Sequence, residues 1–156
     1  MAIDPELMQF FFATMSGPNS YAGGGKPVPI EGMPGWKGFD VERGPYRLVD
    51  RYADGVNGRF FGHTMMWNGQ ELKFYMTYFG IYPEEVNPLL RRVLFDTYQS
   101  GSFCGGRGWK LDGNTPFRYT NEWGEVNEYF SGEERIFRRD NDEKMGGVTY
   151  EGMFLL

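Results

Sequence analysis

The chain has little with which to do covalent or metal chemistry. Its 156 residues include one cysteine and one histidine, which excludes an internal disulfide and a closed structural zinc site. Cation-rich stretches are also scarce. With 16 basic against 21 acidic side chains and a net charge of −5, the chain lacks the basic face that neutralises phosphates, so no nucleic acid is expected as a partner. The nearest basic cluster, Arg135, Arg138 and Arg139, is flanked by Glu133, Glu134, Asp140 and Asp142 and reads as a self-paired strand edge. Long hydrophobic runs are missing as well. The apolar stretch Leu7 to Met15 is too short to span a bilayer and lacks the basic flank and cleavage site of a secretory signal. The expectation is a cytoplasmic protein of bacterial type, with no membrane partner, no metal and no cofactor, and a homodimer left open.

What is abundant is aromatic and glycine: 18% aromatic side chains and 23 glycines. Rings fit a pleated, half-buried surface, and glycine supplies the turns between strands. Asp4 as N-cap, Pro5 at N1 and Gly17-Pro18 as the stop predict a helix over 5–15. Residues 16–44 read as loop, including Tyr21-Ala22-Gly23-Gly24-Gly25-Lys26. No apolar strand precedes those glycines and no helix follows, so a packed loop is preferred there to a phosphate cradle.

Asn68-Gly69 between two β-prone runs predicts a hairpin. With Trp67 opposite Gln70, His63 falls opposite Phe74 on an apolar face and Arg59 opposite Tyr78. Asn87 as cap, Pro88 at N1 and the stripe Leu89, Leu90, Val93, Leu94, Tyr98 predict a second helix over 88–99. Similar text flanks that helix. Pro45-Tyr46-Arg47 matches Pro116-Phe117-Arg118, Asp50 matches Asn121, Asn57 matches Asn127, Phe60-Phe61-Gly62 matches Phe130-Ser131-Gly132, and Thr77-Tyr78-Phe79-Gly80 matches Thr149-Tyr150-Glu151-Gly152. The predicted architecture is one α+β domain, 1–156, with internally duplicated antiparallel β meanders forming a curved sheet or open barrel and two packed helices. Its parts are a helix and Gly-rich loop (4–44), the first meander (45–80), a helix (83–100), a Gly-rich loop (100–115) and the second meander (116–156).

The order of the glycine-rich 21–26 segment, Tyr46, Asp50 and Tyr52 on one strand, Phe60 and Gly62, Tyr78 and Gly80, the amphipathic helix, Arg107-Gly108-Trp109, and Phe130, Gly132 and Glu134 resembles a small bacterial and archaeal domain family of unknown function, sometimes attached to helix-turn-helix regulators. The resemblance implies the fold and carries no chemistry. Thr64 departs from it, standing where a glutamate is expected.

Candidate site residues follow from chemistry. His63 is the one imidazole, with a hydrogen-bonded core histidine as the plainer alternative. Glu134 shares a strand phase with Phe130, Gly132 and Ile136, so its carboxylate meets the apolar face and must be paired, with Arg47 or Arg118 as partner, or serve a ligand. Cys104, with Arg107 three residues on, has no reason to neighbour His63, which argues against a thiol nucleophile. The expected function is a soluble small-molecule-binding domain whose aromatic-lined pocket takes a planar or cationic organic ligand, contacted by His63, Trp67, Tyr78, Arg107, Trp109 and Glu134. The alternative is a cofactor-independent acid/base enzyme of the isomerase, cyclase or lyase kind with His63 or Glu134 as catalytic base. A third reading is a protein-binding module.

Overall fold

A computed structural model describes residues 3–109 and 115–156. Helix α1, Pro5–Met15, begins as its sequence dictates, with the Asp4 side chain accepting the Glu6 amide. Strands β1 (Val28–Pro29), β2 (Trp36–Arg43), β3 (Tyr46–Asp54), β4 (Arg59–Asn68) and β5 (Glu71–Ile81) follow. A 3₁₀ turn, Glu84–Val86, leads into α2, Asn87–Gln99, and the chain closes with β6 (Phe117–Val126), β7 (Tyr129–Arg138) and β8 (Lys144–Phe154). All eight strands form one antiparallel sheet in the order β1-β2-β3-β4-β5-β8-β7-β6. The molecule is α+β, a curved open sheet with both helices on one face. Leu7, Phe10, Phe11, Leu90, Val93 and Leu94 from the helices share one core with Leu48, Met66, Phe74, Phe130 and Ile136 from the strands.

Three expectations are corrected. The 16–44 segment is not all loop, because Trp36–Arg43 is a full strand paired along β3. Gly38 sits there because a Cβ would come within 2.0 Å of the Asp50 carbonyl oxygen. Asn87 does not cap α2. It is the first helical residue, continuous with the 3₁₀ turn, and its side-chain oxygen accepts the Tyr21 hydroxyl at 3.5 Å.

The β4–β5 register is the third. Asn68 pairs with Glu71, so the loop is Gly69-Gln70, and among the turn residues Gly69 takes the positive φ of 59°. This is the type II′ form, which needs glycine only at the first loop position. A bulge between Met66 and Trp67 then shifts the pairing so that Met66 meets Phe74, Thr64 meets Met76, Gly62 meets Tyr78 and His63 meets Thr77. Phe74, Met76 and Tyr78 face the core as expected, but on β4 the even-numbered residues join them. A one-residue slip moves a whole side-chain set to the other face, and this one carries Phe61, His63 and Met65 to the outer side.

The two outer meanders have matching registers. Asp50 pairs with Thr64 and Tyr52 with Gly62 on β3–β4; Asn121 pairs with Glu134 and Trp123 with Gly132 on β6–β7. The bulge at Met66/Trp67 has a counterpart at Ile136/Phe137, and Asn57 and Asn127 both adopt positive φ in the intervening turns. Where the meanders join, Tyr78 pairs with Tyr150, Met76 with Gly152 and Gly80 with Val148.

Candidate functional site

A cavity of about 330 Å³ lies between the inner face of β3–β5, helix α2 and the 21–27 loop. Its floor is polar and buried: Asp50, Thr64, Tyr78 and Arg107 all line it, with exposures of 0–7%. Strand alternation puts Asp50 there, two residues after the fully buried Leu48. Asp50 Oδ1 accepts from the Thr64 hydroxyl at 3.1 Å and from the Tyr78 hydroxyl at 2.8 Å. Among the described residues no hydrogen bond reaches Oδ2. Burial pushes the Asp50 carboxyl above the usual range, against the pull of the Tyr78 and Thr64 hydrogen bonds and the Arg107 charge.

Arg107 comes from the loop after α2, where Cys104 and Arg107 form an isolated β-bridge. Its guanidinium is bidentate on Glu134, with Nε donating to Oε2 at 3.1 Å and Nη2 to Oε1 at 2.6 Å. Tyr119 donates to Oε2 at 2.6 Å and Tyr82 to Oε1 at 3.2 Å, so the carboxylate is fully enclosed. Burial opposes the charge on Arg107, and Glu134 outweighs it, raising the guanidinium well above its ordinary value. The guanidinium carbon also stands 5.5 Å from the Tyr78 ring centroid, a cation–π distance.

The rim is charged and wetter. Lys37 pairs with Asp54 and lies 5.4 Å from the Tyr52 ring centroid. Arg91, exposed on α2, holds its guanidinium 4.9 Å from the ring centroid of Tyr21. Burial raises the Tyr21 hydroxyl, and the neighbouring Arg91 partly offsets that.

At the matching position of the second meander the space is filled by the chain itself. Asn121 Nδ2 donates to the carbonyls of Cys104 at 3.1 Å and Gly108 at 2.7 Å, and Tyr150 donates to Asn121 Oδ1 at 2.7 Å. In both meanders a glycine makes room for the tyrosine. A Cβ on Gly62 would lie 2.7 Å from the Tyr78 hydroxyl oxygen, and one on Gly132 would lie 2.3 Å from that of Tyr150.

Of the residues expected at a site, Glu134, Arg107 and Tyr78 come together, with Arg107 and Tyr78 lining the cavity and Glu134 behind them. Neither Arg47 nor Arg118 neutralises Glu134. Arg47 pairs with Asp40, and Arg118 with Asp142. His63 and Trp67 lie on the outer face, away from the cavity. His63 packs between Trp36 and Tyr75, with ring centroids at 5.7 and 6.1 Å, and its Nε2 is buried without a hydrogen bond. Burial and then the Arg51 charge lower its pKa. Trp67 lies under the Arg47 guanidinium. Trp109 is 53% exposed, with its amide donating to Thr97. Cys104 is buried, and that burial pushes its thiol up.

The residue missed is Asp50. Its sign in the sequence is its phase: Leu48, Asp50 and Tyr52 alternate inward, so an acid falls among core positions. Among the described residues no cluster of metal-binding side chains forms, and no helix is long and apolar enough to cross a membrane. Comparison with family models, curated proteins and solved structures returns no significant match, so the reading of the site rests on its own geometry.

Proposed function

We propose that the chain binds a small organic molecule in the cavity above β3–β5, with Asp50 as its polar anchor. One observation carries this. The floor holds a buried carboxylate with one oxygen uncommitted, in a space the chain leaves open, whereas the matching Asn121 is satisfied by the chain's own carbonyls. Oδ2 is not among the enclosed polar atoms that lack a partner, so it opens to the cavity and is available to a ligand N–H or ammonium group. Tyr21, Tyr52 and Phe60 supply ring faces for a planar or cationic body. The volume sits at the small end of the roughly 300–1,000 Å³ range of organic ligand sites.

The matching registers support reading the two meanders as copies of one unit, related by a pseudo-twofold axis near Tyr78 and Tyr150. On that reading one copy keeps an open site and the other closes its own with the Cys104–Gly108 loop.

The test is native mass spectrometry of protein purified from its own host. A co-purifying adduct of a few hundred daltons is expected, lost in Asp50→Asn and kept in His63→Gln. An adduct indifferent to Asp50→Asn would refute the assignment. A second reading, acid/base catalysis by Asp50 with Tyr78, is favoured by the raised Asp50 carboxyl. It would show as conversion of the ligand by wild type and none by Asp50→Asn.

A further inference from the structure

Ion pairing around the cavity leaves one unmatched charge at each end. Lys37 is matched by Asp54, and Arg107 by Glu134. Asp50, on the floor, has hydroxyl partners but no cation within ion-pair distance among the described residues. Arg91, on the rim, has an aromatic neighbour but no carboxylate within 4.0 Å among the described residues. The neighbouring Arg92, by contrast, is matched by Asp96. Resting on the binding reading above, we propose that the ligand is bipolar: an amine or other N–H cation directed to Asp50 Oδ2, and a carboxylate or comparable acidic group directed to Arg91.

Two features of the wall favour that orientation over its reverse. The acid end would find at the floor the negative Asp50 oxygen and a guanidinium already bidentate on Glu134. The cation end would find at the rim the unmatched Arg91, and a Lys37 whose charge Asp54 already neutralises. Tyr52, Leu90 and Leu94 also line the cavity and give it apolar wall for a ring or short hydrocarbon.

The test uses matched probes on the full chain: 4-(aminomethyl)benzoate and its longer homologue 3-[4-(aminomethyl)phenyl]propanoate, each bearing both ends, against 4-methylbenzylamine and 4-methylbenzoate, each bearing one. Dissociation constants come from isothermal titration. At least one double-ended probe is expected to bind tenfold or more tightly than both single-ended ones. Arg91→Gln, on an exposed helix position where folding is not at risk, should bring that probe to the level of the amine. Asp50→Asn should bring it to the level of the acid. If the amine alone binds as tightly as both double-ended probes and Arg91→Gln changes nothing, the bipolar assignment falls while the cavity and its Asp50 anchor stand. If 4-methylbenzoate binds best and Asp50→Asn improves it, the polarity is reversed and the proposal is wrong. If none of the four binds, the bipolar class is overturned, and native mass spectrometry of the host protein decides the binding reading separately.

Discussion

Tyr78 joins the two charged groups under the cavity: its hydroxyl donates to Asp50 Oδ1 at 2.8 Å while its ring lies beneath the Arg107 guanidinium. The floor is therefore one connected array that runs from Asp50 through Tyr78 and Arg107 to Glu134, Tyr82 and Tyr119. Disturbing any member should be felt by the others.

Glu134→Gln leaves the Arg107 guanidinium buried and uncompensated. Breaking one side of a buried pair typically costs about 3–5 kcal/mol, so urea unfolding at pH 7 should show a loss of that order. The double variant Glu134→Gln/Arg107→Met should recover part of it. A single variant as stable as wild type would show that the pair is not closed in solution.

Asp50→Asn keeps the acceptor for Tyr78 and Thr64 and removes the buried charge. Because the Asp50 carboxyl titrates higher in the folded chain than in the unfolded one, its stabilising share is full below the ordinary carboxylate range. It is lost as pH rises through the folded value. The expected result is a variant that is more stable than wild type at pH 7, with the gap closing as pH falls toward 4. Parallel stability curves for the two proteins would contradict it.

His63 behaves oppositely. Its folded pKa is lowered, so the stability it permits is present above the ordinary imidazole value and is lost as pH falls through that value toward the folded one. His63→Leu removes both this dependence and an unpartnered buried nitrogen, and should gain about 1 kcal/mol at pH 6. Probe binding should be unchanged, since the residue faces away from the cavity.

Gly62→Ala pushes a methyl into the Arg51 carbonyl at 2.4 Å and the Tyr78 hydroxyl at 2.7 Å. Overpacking of this kind costs about 1–3 kcal/mol and should also displace Tyr78 from Asp50, weakening probe binding. Gly124→Ala, where a methyl would meet nothing within 4 Å, is the control and should bind as wild type.

The helices, the antiparallel meanders and the inward phase of Glu134 were legible because each depends on neighbours a few residues apart. Pro5 after Asp4 announces α1, and the alternation from Phe130 to Ile136 places Glu134 inside. The side of the sheet on which His63 lies was not legible, since a single bulge between Met66 and Trp67 decides it. Nor was Arg107 as the partner of Glu134, because a loop 27 residues earlier in the chain delivers it. Strand β2 was hidden by its glycine and by the Pro/Gly-rich text before it. Its pairing with β3 is a long-range fact that local propensity does not encode.

Among the described residues the sheet does not close, so it has two margins, and both are poor templates for another chain. At one side β1 is two residues long, ends in Pro29, which has no N–H to offer, and covers only Lys37 and Gly38, while the rest of β2 carries Asp40, Glu42 and Arg43 along the margin. At the other, β6 sets Glu122 and Glu125 along its exposed half, charges that an incoming strand would have to bring together and desolvate. A chain this rich in aromatic strands would otherwise be a candidate for sheet-to-sheet growth. Its protection lies at these two borders, and Glu122→Val/Glu125→Val should raise its tendency to form fibrils without altering the cavity.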